Sequence, residues 1–127
     1  MGCCCRADVT KEDDILNLIN LILKEVGSID IWINNAGANQ SDKLIWDVDE
    51  KSIDRLIDID LKVIILCLKL IMKAMKEQGF DQIYNGEGYG VMMLQALVYL
   101  FFGTAERAVT YFIEALANKV DELKINV

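Results

Sequence analysis

Apolar residues recur along this chain in two rhythms, one helical and one extended. Ile15, Leu18, Ile19, Ile22 and Val26 fall three and four apart, which places them on one stripe of a helix. Thr10 is the predicted N-cap, and Glu12, Asp13 and Asp14 fill the first turn, where the helix dipole favours negative charge. Gly27 is the predicted stop. Ile29, Ile31, Trp32 and Ile33 then form a short run rich in β-branched and aromatic residues. Its lack of alternation predicts a strand buried on both faces, as in a parallel sheet. A second helix, capped by Asp47 or Asp49, runs to Gln78 and ends at Gly79. Its middle, Val63 to Leu68, is apolar all round, so one side should face the sheet and the other a partner. A second copy of the chain is the economical candidate.

The remaining segments complete an alternating pattern. Cys3 to Val9 reads as a strand, and so does Gln82 to Asn85. Gly86 to Gly90 is a glycine-rich loop. A third helix begins between Val91 and Phe102 and continues to about Leu123, and Ile125 to Val127 opens another strand. The order β-α-β-α-β-α-β predicts an α/β fold with a parallel sheet and right-handed crossovers. With 127 residues and no internal repeat, linker or low-complexity segment, one domain over 1–127 is expected.

Composition narrows the partners. Hydrophobic residues make up 54% and charged ones 26%, so a packed core is expected. A net charge of −7 argues against nucleic acid and against anionic membrane surfaces, both of which select basic proteins. No run reaches the roughly 18 uncharged apolar residues of a membrane span. Lys62, Lys69 and Lys73 interrupt the 61–75 stretch, and 91–102 is too short. No secretory signal is expected from the cysteines and charges at the start. Met1-Gly2-Cys3 invites a lipid anchor, but Arg6 stands where the myristoylation pattern wants Ser or Thr.

Four cysteines without C-x-x-C spacing, and no histidine, fit a reduced, cytoplasmic protein without a metal site. The absence of proline has no physical account here.

Candidate chemistry starts at the strand end Asn34-Asn35-Ala36-Gly37, because ligands of open α/β sheets sit at the carboxyl ends of strands. The segment Ile31-Trp32-Ile33-Asn34-Asn35-Ala36-Gly37 resembles the N-N-A-G stretch of the short-chain dehydrogenase/reductase family. Within that family the chain is most similar to the chlorophyll b reductase-like branch. The likeness extends through 83–90 and 103–123. It covers nearly all of this chain but only the middle of a family member. It implies the second half of a Rossmann-type, doubly wound parallel sheet with three long helices. It also implies an NAD- or NADP-dependent oxidoreductase of a carbonyl or alcohol substrate. By the resemblance, Asp8 and Val9 would touch the adenine ring, and Asn35, Ala36 and Gly37 would lie under the cofactor ribose.

The same comparison finds the catalytic positions altered. The family uses Tyr-x-x-x-Lys, a serine and an asparagine for proton handling. Here the first motif reads Phe102-Gly103-Thr104-Ala105-Glu106. The serine position falls near Gly88, and no serine occurs after Ser52. Asp60, in Ile59-Asp60-Leu61, stands where the asparagine belongs. The family's glycine-rich pyrophosphate turn is expected before Cys3 and its substrate loop after Val127. Tyr84, Tyr89 and Tyr99 lack a lysine one turn on.

Three readings follow. The chain is a catalytically impaired dehydrogenase/reductase with weak or lost cofactor binding. It is an interaction module that pairs with itself or an intact relative through the 49–78 helix. Or it is a non-functional fragment. Asn34 and Asn35 serve equally well as turn residues, and Asp8 as a helix-start residue. In the family strand order 3-2-1-4-5-6, two strands would separate Cys3–Val9 from Ile29–Ile33. The early segment is therefore expected either to pair beside Ile29–Ile33 or to be poorly ordered.

Overall fold

A computed structural model describes residues 4–38, 43–79, 81–86, 100–120 and 125–126. Helix α1 spans Glu12–Glu25, and strand β1 spans Ile31–Asn34. A 3-10 turn at Ile45–Asp47 leads into one long helical rod. The rod comprises α2 (Glu50–Leu56), a π turn (Ile57–Lys62) and α3 (Val63–Gln78). Strand β2 (Asp81–Asn85), helix α4 (Leu100–Val120) and strand β3 (Ile125–Asn126) follow. The strands form a parallel sheet in the order β1-β2-β3, with Ile31 opposite Gln82 and Asn34 opposite Asn85. The α/β class, the parallel pairing and the three long helices agree with the sequence.

The ends of the long rod follow local chemistry. Asp49 is its N-cap: the carboxylate accepts from the Ser52 backbone N–H at 2.9 Å. That hydrogen bond, with the Ser52 hydroxyl and Lys43, holds the carboxyl below its ordinary range. Gly79 terminates the rod at φ 91°, a left-handed conformation that costs a side-chain-bearing residue energy.

The core lies between α3 and one face of the sheet. Ile64, Cys67, Leu68, Ile71 and Met75 recur on the inner stripe of α3 and are buried. They pack with Ile15 and Ile19 of α1, Ile29 and Ile83 of the sheet segments, and Val109 of α4. Gln78 joins helix to strand: its amide donates to the Ile29 carbonyl at 3.0 Å and accepts the Ile29 N–H at 2.9 Å.

Three local expectations are corrected. Residues 4–8 form no strand and pair with no part of the sheet, neither at β1 nor elsewhere among the described residues. A strand needs a ladder neighbour, and residues 4–8 do not line up along the open edge of β1. Nor does Thr10 cap α1. Lys11 occupies the N-cap without a side-chain bond, while the Thr10 hydroxyl donates to Asp8 at 2.7 Å. With its hydroxyl turned back to Asp8, Thr10 offers no acceptor to the first N–H groups of α1. Finally, β1 is not buried on both faces. Ile31 and Ile33 are 56% and 64% exposed, and Tyr84 on β2 is exposed beside them. The helices cover the opposite face, where Ile83 is buried.

Truncating the centre of this core should cost far more than truncating its rim. Ile71→Ala is expected to lower stability by about 2–5 kcal/mol, because a cavity adds to the lost transfer energy. Tyr111→Ala, at an exposed site, should stay within about 0.5 kcal/mol. Urea unfolding of both variants measures the contrast.

Candidate functional site

The carboxyl ends of β1 and β2 are tied side by side. Asn34 accepts from Trp32 Nε1 at 2.7 Å and donates from Nδ2 to Asn85 Oδ1 at 2.8 Å. The Gly86 N–H then donates to the Asn34 carbonyl at 2.8 Å. A Cβ at Gly86 would stand 3.1 Å from Asn35 Oδ1, so the glycine lets the two strand ends approach. This chain of bonds fixes where the following loop begins. Asn34 therefore serves β1–β2 pairing as well as its turn. The signal in the sequence is an asparagine at the end of each of two neighbouring strands.

Beyond Asn34, residues Asn35, Ala36 and Gly37 form an exposed ledge of small side chains, closed by buried Ala38. The ledge is held against the long rod by Asp60. The Ala38 N–H donates to Asp60 Oδ1 at 2.6 Å. A Cβ at Gly37 would stand 3.5 Å from the same oxygen, in ordinary van der Waals contact. Asp60 lies in the π turn, where the Val63 N–H reaches five residues back to the Asp58 carbonyl. Such a widened turn frequently marks a functional position within a helix. Only 2% of Asp60 is exposed, and among the described residues its Oδ2 has no partner. Burial pushes the carboxyl above its ordinary range, and the Ala38 hydrogen bond only partly opposes this.

The other sequence-derived positions lie apart or outside view. Asp8 is exposed at the start of α1. Its carboxylate accepts from the Thr10 hydroxyl and backbone and lies 3.6 Å from Lys11, contacts that hold it below its usual range. Val9 is half-buried against the core. Glu106 is buried in α4, which packs against the π turn. Phe102 belongs to the first turn of α4. Gly88 falls outside the described residues. The structure thus brings 35–37 and Asp60 together. It gives Asp8 a local structural task.

The ledge thus lies at the carboxyl end of β1, the edge strand of the described sheet, with Asp60 behind it. The short chain dehydrogenase family model matches residues 2–127. The chain belongs to that family. It is 28% identical over 121 residues to the rice (Oryza sativa subsp. japonica) protein "Probable chlorophyll(ide) b reductase NYC1, chloroplastic", covering 94% of this chain and 24% of that one. The Arabidopsis thaliana protein of the same name is 38% identical over 84 residues, 65% of this chain and 17% of the relative. Among solved structures, ElxO with NADP bound superposes with a TM-score of 0.85 at 25% identity. That alignment covers 94% of this chain and 48% of ElxO. The 3-ketoacyl-(acyl-carrier-protein) reductase of Brucella melitensis, complexed with NADH, shares the fold with a TM-score of 0.87 at 23% identity. The chain therefore spans about half the length of these solved family members.

No helix among the described residues of this dehydrogenase-family chain is long and apolar enough to cross a membrane.

The buried acid makes stability depend on pH with a definite sign. A carboxyl whose native pKa is raised is bound to its proton more tightly when folded. Its contribution is fully present below the unfolded value near 4 and is lost as pH rises through the native value. Asp60→Asn keeps an acceptor for Ala38 and removes the charge. The variant should exceed the parent by roughly 1–3 kcal/mol at pH 7, with the gap closing towards pH 4. Urea titrations at both pH values check this.

Proposed function

We propose that the chain is a dehydrogenase/reductase-type domain that keeps the ledge for NAD or NADP but has lost the groups that move a proton. The observation that carries this reading is Asp60, buried behind the ledge and bonded to its backbone, at the position of the family's asparagine. The exposed small residues Asn35, Ala36 and Gly37 fit the sugar side of a dinucleotide, which needs close backbone approach at a strand end. A bound nicotinamide would supply or accept the hydride of a carbonyl/alcohol reaction.

The chain's own residues do not complete that chemistry. Phe102 has no hydroxyl to donate. Glu106, buried in α4, is a carboxylate where the family has a lysine, so it would disfavour a phenolate one turn away. An acid/base group of this kind contributes about 10²–10⁴ in rate. Cofactor binding is accordingly weak, and turnover is at background. The free thiols of Cys4, Cys5 and Cys67 suit a reducing compartment, in the simplest case the cytoplasm.

A second reading is compatible with the first. Ile57 and Ile65 stay exposed on the long rod, and Tyr111 on α4 is also exposed. These residues favour pairing through the 49–78 helix with a second copy or an intact relative. A mass that rises with concentration in light scattering supports it, and a constant monomer mass removes it.

Trp32 sits three residues before the ledge and reports on it, while Trp46 is exposed and adds background. In a Trp46→Phe background, NADH or NADPH should quench Trp32 saturably in the high micromolar range or weaker. A flat titration would remove the ledge assignment. Phe102→Tyr alone is expected to leave carbonyl reduction at background, because Glu106 remains. Reduction of an aldehyde or ketone by the parent chain at a useful rate would overturn the impaired-enzyme reading.

A further inference from the structure

The bond between Ala38 and Asp60 joins two parts of the molecule that the chain could otherwise leave independent. On one side is the ledge, a loop of small exposed residues without secondary structure. On the other is the π turn of the long rod, anchored by the α3 core. Asp60 Oδ1 accepts the Ala38 N–H, while Oδ2 is buried and has no partner among the described residues. We propose that Asp60 is a proton-operated latch that holds the 35–38 loop on the rod while its carboxyl is neutral and releases it when the carboxyl ionises.

The two charge states differ in what burial costs. The neutral acid leaves one oxygen short of a partner, a modest penalty. The carboxylate leaves a full charge buried with a single hydrogen bond, a much larger one. Water at the carboxylate relieves that strain if either the helix or the loop moves. The helix is fixed by its own hydrogen bonds and by Val63, Ile64 and Cys67 in the core. The loop is the cheaper element to displace, and lifting Ala38 frees Oδ1, the oxygen its N–H now occupies, for water.

The other titratable groups around the turn do not take this part. On the same turn Asp58 and Lys62 are paired with each other at 3.0 Å and are solvent-exposed. From α2 the nearby charges are Asp54 and Arg55, both exposed. From α4, which packs against the turn, they are buried Glu106 and exposed Arg107, each engaged in interactions. The loop residues 35–38 carry no titratable side chain. The latch itself does not depend on the cofactor reading.

Nuclear magnetic resonance of the full-length chain tests the latch without any ligand. The Asp60 Cγ shift, the Ala38 amide shift and Ala38 hydrogen exchange are followed from pH 4 to 8. Expected is a shared step in both shifts. Ala38 protection, after correction for base catalysis, should fall at least tenfold across it. Asp60→Asn should abolish the step and keep Ala38 protected throughout, whereas Glu106→Gln should leave the step in place. Persistence of the step in Asp60→Asn, its loss in Glu106→Gln, or a parent Ala38 amide indifferent to pH would each overturn the proposal.

Discussion

Burial of one stripe of α3 against one face of a parallel sheet is the constraint from which the rest of this structure follows. Ile64, Leu68, Ile71 and Met75 are held there together with Ile15 and Ile19, so α1 and the long rod must lie on the same side of the strands. Each such side chain is worth about 1.5–3 kcal/mol when fully buried. That packing decides which way β1 and β2 face and therefore where their carboxyl ends open. The Gln78 amide, bonded to both backbone groups of Ile29, fixes the segment leading into β1 relative to the end of the rod. The ledge at 35–37 is located by the core before any polar contact tunes it.

The π turn shows how a helix can serve core and site at once. A regular helix from 50 to 78 would carry its apolar stripe past residue 60 without interruption. Widening one turn brings a carboxyl inward beside Gly37 and Ala38 while leaving Val63 and Ile64 in the core. The result is a buried acid beside the apolar stripe of the rod. Such groups lower stability and are found where position matters more than stability.

The sequence conveyed the long-range plan better than the local details, for identifiable reasons. The rod's ends at Asp49 and Gly79 were readable because caps are set by one or two residues and act at short range. Parallel pairing followed from alternating strands and helices. The Ile29–Ile33 run misled, because an apolar stretch states what a strand can bury, not what covers it; Ile31 and Ile33 remain exposed. Thr10 misled because its hydroxyl is turned back to donate to Asp8, two residues away, instead of accepting an N–H of the first helical turn. At the site, Asp60 was legible as the residue standing where the family has asparagine, but its partner Ala38 was invisible. A backbone N–H has no residue signature, and the contact spans 22 positions.

Cys67 lies on the buried stripe of α3, 3% exposed, and burial pushes its thiol up to about 11. At neutral pH it is therefore almost wholly in the unreactive thiol form while α3 stays docked, whereas Cys4 and Cys5 are open to solvent. Among the described residues an alkylating reagent meets two populations of sulfur. Cys4 and Cys5 are consumed at once, and Cys67 is modified only during the intervals when the helix lifts from the strands. The molecule thus carries its own clock for the opening of its interior.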